Sequence, residues 1–302
     1  MGKANGGPSK EHDLLWIKFT LRSVLCFLMV IAGCAMNPSD DPSAARIPIS
    51  IPLEILKPEG AGPFPAVVML HDCSGLGPRS SGAPRRWARE LLNRGYVVAL
   101  PDSFSTRGFP GGVCTDPAPA RAEVGPFRRV RDAYEMLDQL QALPYVDGRR
   151  VGVMGGSHGG SSTLVTLAAS NVVVSKHAGP GFRAGVALYP ACAIGNPRFN
   201  TSYRSVAPLL ILAGELDDWT PAQPCRELAA AADPGGGKVT LRVYPRAHHS
   251  FDSAAPLRFN PNRNNVNAAG GRGATTGGNA EAWADSIREV TAFFARELGN
   301  NQ

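Results

Sequence analysis

Short apolar runs alternate with stretches of helical apolar spacing from about residue 47 to the C-terminus. Such runs are typical of strands buried on both faces of a parallel sheet, with a helix in each connection. The sequence therefore predicts the α/β class, with a mostly parallel, doubly wound sheet. The predicted strands are 47–56, 64–71, 96–102, 149–155, 183–190, 206–214 and 238–245, and the predicted helices are 85–95, 127–143, 157–170, 224–232 and 279–298.

One predicted strand-to-helix connection carries an unusual turn. Residues 151–162 read VGVMGGSHGGSS, in which an apolar run stops at two glycines and a serine. The pattern Gly155-x-Ser157-x-Gly159 matches a nucleophile elbow, a strained turn that exposes a serine oxygen. The alternative is a plain glycine-rich connection, because so short a pattern often arises by chance.

Two later strands are followed by residues that could activate this serine. Asp217 follows the strand at 206–214, and His249 follows the strand at 238–245. The carboxyl ends of parallel strands form the crevice of an open α/β sheet, so the three side chains should meet there. Serine, acid and then histidine is the chain order of α/β-hydrolases. The sequence therefore favours the nucleophile elbow and predicts a triad of Ser157, Asp217 and His249.

The motifs around these residues resemble those of a known family. Gly214-Glu215-Leu216-Asp217, Ala247-His248-His249-Ser250-Phe251 and LHDCSG at 70–75 are similar to the acid, histidine and oxyanion-loop motifs of the dienelactone hydrolase family. The resemblance extends from about residue 47 to the C-terminus. It implies an α/β-hydrolase fold that acts without a metal or organic cofactor. The short segment between the strands at 183–190 and 206–214 predicts a minimal cap.

The nucleophile departs from the family's type enzyme. Ser157 stands where dienelactone hydrolase itself has a cysteine, so the resemblance implies a serine carboxylesterase for small esters or lactones. His249 would act as the base and Asp217 would orient it. The backbone N–H groups of Cys73 and His158 would form the oxyanion hole.

Neighbouring residues leave alternatives open. Asp218 could be the acid in place of Asp217, and His248 could be the base in place of His249. His71 and Asp72 are expected to support the oxyanion loop.

Aromatic residues and one biased segment complete the predicted crevice. Trp219 and Phe104 lie on crevice loops and are candidates for the pocket wall, whereas Trp87 is expected in the core. Residues 260–278 are rich in asparagine and glycine and lack core-forming residues, which predicts a mobile loop.

The N-terminus predicts export. Basic residues precede a short apolar run at 24–32, which ends in Ile31-Ala32-Gly33-Cys34. A run of this length is typical of a signal-peptide core, and the cysteine after small residues resembles a bacterial lipoprotein signal. A plain secretion signal or a short anchor helix is the alternative.

The lipoprotein interpretation divides the chain into three parts. They are a signal peptide at 1–33, a tether at 34–45 that begins at the lipid-bearing Cys34, and a hydrolase domain at 46–302. Ala35, rather than an aspartate, favours a lipid anchor in the bacterial outer membrane, facing the periplasm or the cell surface.

Export makes disulfides the expected state of the remaining cysteines. Four thiols in an oxidising compartment suggest two disulfides. Cys73 and Cys114 fall on loops after two neighbouring strands, and Cys192 and Cys225 fall on loops after two others. These positions predict the pairs Cys73–Cys114 and Cys192–Cys225. No cysteine has zinc-like spacing with histidine, so no metal site is expected.

Composition restricts the class of partner. The net charge is +6, but the basic residues are scattered and form no block of five. The sequence therefore predicts no nucleic-acid partner.

An exported serine hydrolase is the leading hypothesis. Its rivals are a serine peptidase of the prolyl-oligopeptidase type and a non-catalytic binding lipoprotein.

Overall fold

The computed structural model describes residues 51–116, 122–194, 197–232 and 238–299. The predicted signal peptide, Cys34 and the tether lie outside the described residues. Within the described residues, no helix combines the length and the apolar character needed to cross a membrane.

A seven-stranded sheet organises the domain, as the alternating pattern predicts. Its order is β1-β3-β2-β4-β5-β6-β7, with only β1 antiparallel to its neighbour. The strands are β1 Leu53–Leu56, β2 Phe64–Leu70, β3 Val97–Pro101, β4 Val146–Gly156, β5 Ala184–Leu188, β6 Leu209–Gly214 and β7 Val239–Tyr244.

Helices cover both faces of the sheet. The helices are α1 Ala83–Leu92, α2 Pro126–Gln141, α3 His158–Thr166, α4 Val172–Lys176, α5 Pro197–Ser202, α6 Ala222–Ala232 and α7 Ala280–Leu298. The six-residue α5 stands where the sequence predicts a minimal cap.

Burial of the sheet on both faces explains why the strands are continuous apolar runs in the sequence. Along β2, Val68 packs into one buried cluster with α2 and α3, whereas Val67 packs into the opposite cluster with α1 and α7. Every second side chain of a strand points to the same face, so a sheet covered on both sides needs apolar residues at successive positions. Trp87 of α1 is 1% exposed, in agreement with its predicted core position.

The prediction of a loop at 260–278 is wrong. This part of the chain forms an antiparallel hairpin of β8 Arg258–Asn264 and β9 Arg272–Thr276, between β7 and α7. The Asn265 side chain donates to the Gly273 carbonyl at 2.7 Å. The hairpin is therefore stabilised by backbone pairing and polar side chains, a pattern that a search for core-forming residues does not detect.

Candidate active site

A strained turn holds Ser157 between β4 and α3. Its φ of 53° and ψ of −115° lie outside the ordinary regions for a side-chain-bearing residue. A Cβ on Gly159 would come within 1.9 Å of the Leu70 carbonyl oxygen, and one on Gly155 within 2.5 Å of the Gly159 carbonyl carbon. Both outer positions of the motif therefore require glycine, because the turn packs directly against the end of β2.

Three predicted side chains meet at this turn. His249 Nε2 lies 2.8 Å from Ser157 Oγ, and His249 Nδ1 lies 2.8 Å from Asp217 Oδ2. His249 and Asp217 are nearly inaccessible, at 0% and 4% exposure, whereas Ser157 is 8% exposed. This relay can move a proton from the serine hydroxyl to the imidazole, and the carboxylate can stabilise the resulting imidazolium.

The acid loop orients Asp217 and turns its neighbour away. Asp217 Oδ1 accepts hydrogen bonds from the N–H groups of Trp219 and Thr220, at 2.9 and 2.8 Å. Thr220 Oγ1 donates to Asp217 Oδ2 at 2.9 Å. Asp218 instead accepts hydrogen bonds from the N–H and hydroxyl of Thr275 in β9. Between the two acids considered from the sequence, the geometry thus brings Asp217 to the histidine.

The two histidines are also distinguished by position. His248 Nδ1 is buried and has no hydrogen-bond partner among the described residues. The His249 ring packs between two aromatic rings, with centroids 4.8 Å from both Tyr189 and Trp219. The surrounding rings and the Asp217 hydrogen bond fix the orientation of this imidazole.

Tyr189 is itself held by a buried carboxylate that the sequence analysis missed. Its hydroxyl donates to Asp252 at 2.8 Å, and Trp87 Nε1 donates to the same carboxylate at 2.8 Å. Burial raises the pKa of Asp252 above its usual value, although both hydrogen bonds oppose this effect. The acid lies three residues after His249, and that proximity was the one signal in the sequence that could have identified it.

The predicted oxyanion loop follows β2. Among the described residues, the Cys73 N–H has no hydrogen-bond acceptor, so it is available to a ligand. Asp72 accepts hydrogen bonds from the N–H and hydroxyl of Ser74 and from the hydroxyl of Ser81, which folds the loop around the carboxylate. Asp72 thus supports the loop, as expected from the sequence.

His71 supports the same loop in its neutral form. Its Nε2 accepts a hydrogen bond from the Ser103 N–H at 3.2 Å, so its Nδ1 carries the proton and donates to the Asp72 carbonyl at 2.8 Å. Burial, and then the positive charge of Arg129, lower the pKa of His71 well below its usual value.

A buried arginine connects the two halves of the predicted oxyanion hole. Arg129 Nη1 donates to the His71 carbonyl at 2.8 Å and lies 2.9 Å from His158 Nδ1. The contact requires His158 Nδ1 to act as the acceptor, because a guanidinium has no acceptor. Burial lowers the pKa of Arg129 to about 10. This role of Arg129 was not predicted from the sequence, because the residue lies on α2, far in sequence from both of its partners.

Disulfides Cys73–Cys114 and Cys192–Cys225 are the two pairs that the sequence predicts. Cys225 lies in α6 rather than on a loop, because that helix begins directly after the acid loop, at Ala222.

Two cavities open on the nucleophile and share Ser157, Trp219 and the disulfide Cys73–Cys114. The first lobe has a volume of about 410 Å³ and is also lined by His249. The second lobe has a volume of about 480 Å³ and is also lined by His158. Trp219 therefore lies in the pocket wall as expected.

The other aromatic candidate lies behind the pocket. Phe104 is fully buried, and its ring packs against the rings of His71 and His158. It therefore lies under the oxyanion loop and lines neither lobe, so its predicted place in the pocket wall is wrong.

The β8–β9 hairpin contacts Trp219, which lines both lobes. Trp219 Nε1 donates to the Asn264 carbonyl at 2.8 Å, and the Asn264 N–H donates to the Cys114 carbonyl at 3.1 Å. The guanidinium of Arg263 lies over the Trp219 ring, 5.2 Å from its centroid. Among the described residues, no group of three or more histidine, cysteine or acidic side chains could hold a metal ion.

Comparisons with known proteins agree with this architecture. The model of the dienelactone hydrolase family matches residues 53–298. A proposed carboxymethylenebutenolidase of Methylorubrum extorquens is 27% identical over 214 residues, which cover 67% of this chain and 68% of the relative.

Solved structures share the fold. A proposed dienelactone hydrolase from Klebsiella pneumoniae has a TM-score of 0.60 at 20% identity and covers 82% of this chain and 93% of its own. Esterase 2 of Thermogutta terrifontis, solved after phosphorylation by paraoxon, has a TM-score of 0.57 at 19% identity, with 83% and 90% coverage.

Proposed function

Because the chain belongs to the dienelactone hydrolase family and is a carboxylic ester hydrolase, we propose that it cleaves small esters or lactones through an acyl-enzyme on Ser157. The observation that carries this proposal is the continuous relay from Ser157 Oγ through His249 to Asp217, with both hydrogen bonds at 2.8 Å. The name of the Methylorubrum extorquens relative supports a lactone among the candidate substrates, since a butenolide is a lactone.

Acylation begins with proton transfer to the histidine. His249 Nε2 takes the Ser157 hydroxyl proton while Oγ attacks the carbonyl carbon of the ester. The N–H groups of Cys73 and His158 stabilise the negative charge that develops on the carbonyl oxygen. Asp217 holds the proton on His249 Nδ1 and stabilises the imidazolium.

Release of the alcohol and hydrolysis of the acyl group use the same histidine. His249 returns the proton to the leaving oxygen, the bond to the alcohol breaks, and the acyl group remains on Ser157 Oγ. A water molecule then gives its proton to His249 and attacks the acyl carbon, after which Ser157 is protonated again and the acid leaves.

Two assays test this proposal against its rivals. Labelling of wild type by a fluorophosphonate probe, with none in Ser157→Ala, is expected of a serine hydrolase, whereas a binding protein would not react. Matched panels of esters and peptides separate an esterase from a prolyl-oligopeptidase-like peptidase. Turnover of peptides in preference to esters would contradict the proposal.

We further propose that the enzyme is exported and anchored through a lipid on Cys34, in the bacterial outer membrane. The signal-like sequence before Cys34 motivates this proposal, and the two disulfides support an oxidising compartment. Cys34→Ser should move the protein out of the membrane fraction or block its processing. A variant that fractionates and migrates like wild type would contradict the lipid anchor.

A further inference from the structure

The two lobes of the active site differ in which catalytic groups they contain. His249 lines the first lobe and does not line the second, whereas His158 lines the second and not the first. Ser157 lies at their junction. The two lobes therefore offer separate spaces for the two substituents of an ester bound at Ser157.

The position of the histidine determines which substituent enters the first lobe. In the proposed reaction His249 returns its proton to the oxygen of the departing alcohol, which must then lie within hydrogen-bond reach of Nε2. Nε2 already lies 2.8 Å from Ser157 Oγ, and His249 lines the first lobe and not the second. The alcohol group consequently occupies the first lobe.

The positions of the two ester oxygens determine where the acyl chain extends. The carbonyl oxygen must face the N–H groups of Cys73 and His158, and the alcohol oxygen must face His249. The remaining substituent on the carbonyl carbon is the acyl chain. Because the alcohol group occupies the first lobe, the acyl chain extends into the second lobe, which also opens on Ser157.

The chemistry of the lobes fits this assignment. The second lobe is lined by the apolar residues Ala191, Pro221, Pro224 and Val266. The first lobe instead presents serines and three arginines, Arg79, Arg258 and Arg263. Burial of an apolar chain in the second lobe is favourable, whereas the polar groups of an alcohol find hydrogen-bond partners in the first lobe.

The β8–β9 hairpin forms part of the boundary of the second lobe. Val266, in the β8–β9 connection, is 83% exposed and lines the second lobe. The side chain of the neighbouring Asn267 donates to the Trp219 carbonyl at 2.9 Å, and that of Asn265 donates to the Asp218 carbonyl at 2.9 Å. These hydrogen bonds hold the connection against the acid loop, so a side chain at position 266 has a fixed place at the rim of the lobe.

We propose that the enzyme acts on esters that join an apolar acyl chain to a polar alcohol, and that the β8–β9 hairpin sets acyl-chain specificity through Val266. This inference rests on the proposed serine-esterase function. It assigns the acyl chain to the second lobe and the alcohol to the first.

Two substitutions that add bulk, one in each lobe, test the assignment. Val266→Trp narrows the second lobe, and Ala255→Trp narrows the first, which Ala255 lines. Phe259→Trp is the matched control, because Phe259 is an exposed hairpin residue that lines neither lobe. Each variant is assayed on one alcohol with acyl chains from acetyl to octanoyl, and on acetates of alcohols of increasing size.

For wild type, kcat/KM should rise about fourfold for each added methylene until the chain fills the second lobe. Val266→Trp should lower kcat/KM for octanoyl relative to acetyl esters by about tenfold or more, without changing the order of the alcohols. Ala255→Trp should change the alcohol series and leave the acyl series as in wild type. Phe259→Trp should match wild type in both series.

Reversal of the two responses would overturn the assignment while leaving the serine-esterase function intact. An unchanged acyl series in Val266→Trp, with full activity and a wild-type melting temperature, would overturn the role of the hairpin. If wild type cleaves no ester in either series, the proposed function fails and this inference fails with it.

Discussion

The two disulfides offer a matched pair of perturbations, because they close loops of similar length. Cys73 and Cys114 are separated by 41 residues, and Cys192 and Cys225 by 33. Chain entropy then predicts a loss of about 4 kcal/mol in the free energy of unfolding when either pair is replaced by alanine. For a domain of this size that loss lowers the melting temperature by roughly 8–16 °C.

The catalytic consequences should differ. Cys73 carries an N–H of the proposed oxyanion hole, and the Val113 N–H donates to the Cys73 carbonyl at 2.7 Å beside the disulfide. Cys192–Cys225 carries no such donor. Complete loss of one oxyanion donor costs about 10²–10³ in kcat, so a loosened Cys73 should cost about tenfold or more. The variant without Cys192–Cys225 should keep kcat close to that of wild type.

The assay measures kcat on one ester below the melting temperatures of both double variants, which are determined by circular dichroism. Equal losses of kcat in the two double variants would refute the special role of Cys73. So would a larger loss in the variant that lacks Cys192–Cys225.

Further predictions concern the relay and a buried histidine. Asp217→Asn should lower kcat by about 10⁴, and Asp218→Asn by far less; equal losses in kinetic assays would contradict this difference. His249→Ala should abolish turnover while His248→Ala retains it, and activity of both variants would remove His249 as the base. Burial lowers the pKa of His71, so on acidification the unfolded chain binds a proton at a higher pH than the folded chain does. The contribution of His71 to the free energy of unfolding is therefore complete above about pH 6.5 and should decrease below that pH by up to about 1.4 kcal/mol per pH unit. Urea titrations over pH test this dependence, and His71→Gln should weaken it.

Much of the fold could be predicted because burial on both faces of a sheet leaves a strong local signal. Val67 and Val68 are adjacent in sequence and pack into opposite buried clusters, which makes the strand apolar throughout. Ser157, Asp217 and His249 could be associated because each follows a strand, and strand ends meet at one edge of the sheet.

The supporting contacts could not be predicted in the same way. Tyr189 and Asp252 are separated by 63 residues, and Arg129 and His71 by 58. Neither contact is indicated by a periodicity or a motif in the sequence, because each depends on how the loops pack after the sheet has formed. The β8–β9 hairpin was missed for a related reason, because its polar side chains bond to the acid loop rather than to a core.

In the proposed mechanism the acyl group is bonded transiently to Ser157, and intact-protein mass spectrometry during turnover tests this directly. Wild type quenched in acid during hydrolysis of a slow ester should gain the mass of one acyl group, and peptide mapping should locate that mass on the peptide that contains Ser157. Ser157→Ala should show neither the adduct nor turnover. An acyl group on another residue, or full esterase activity in Ser157→Ala, would contradict the assignment of this site.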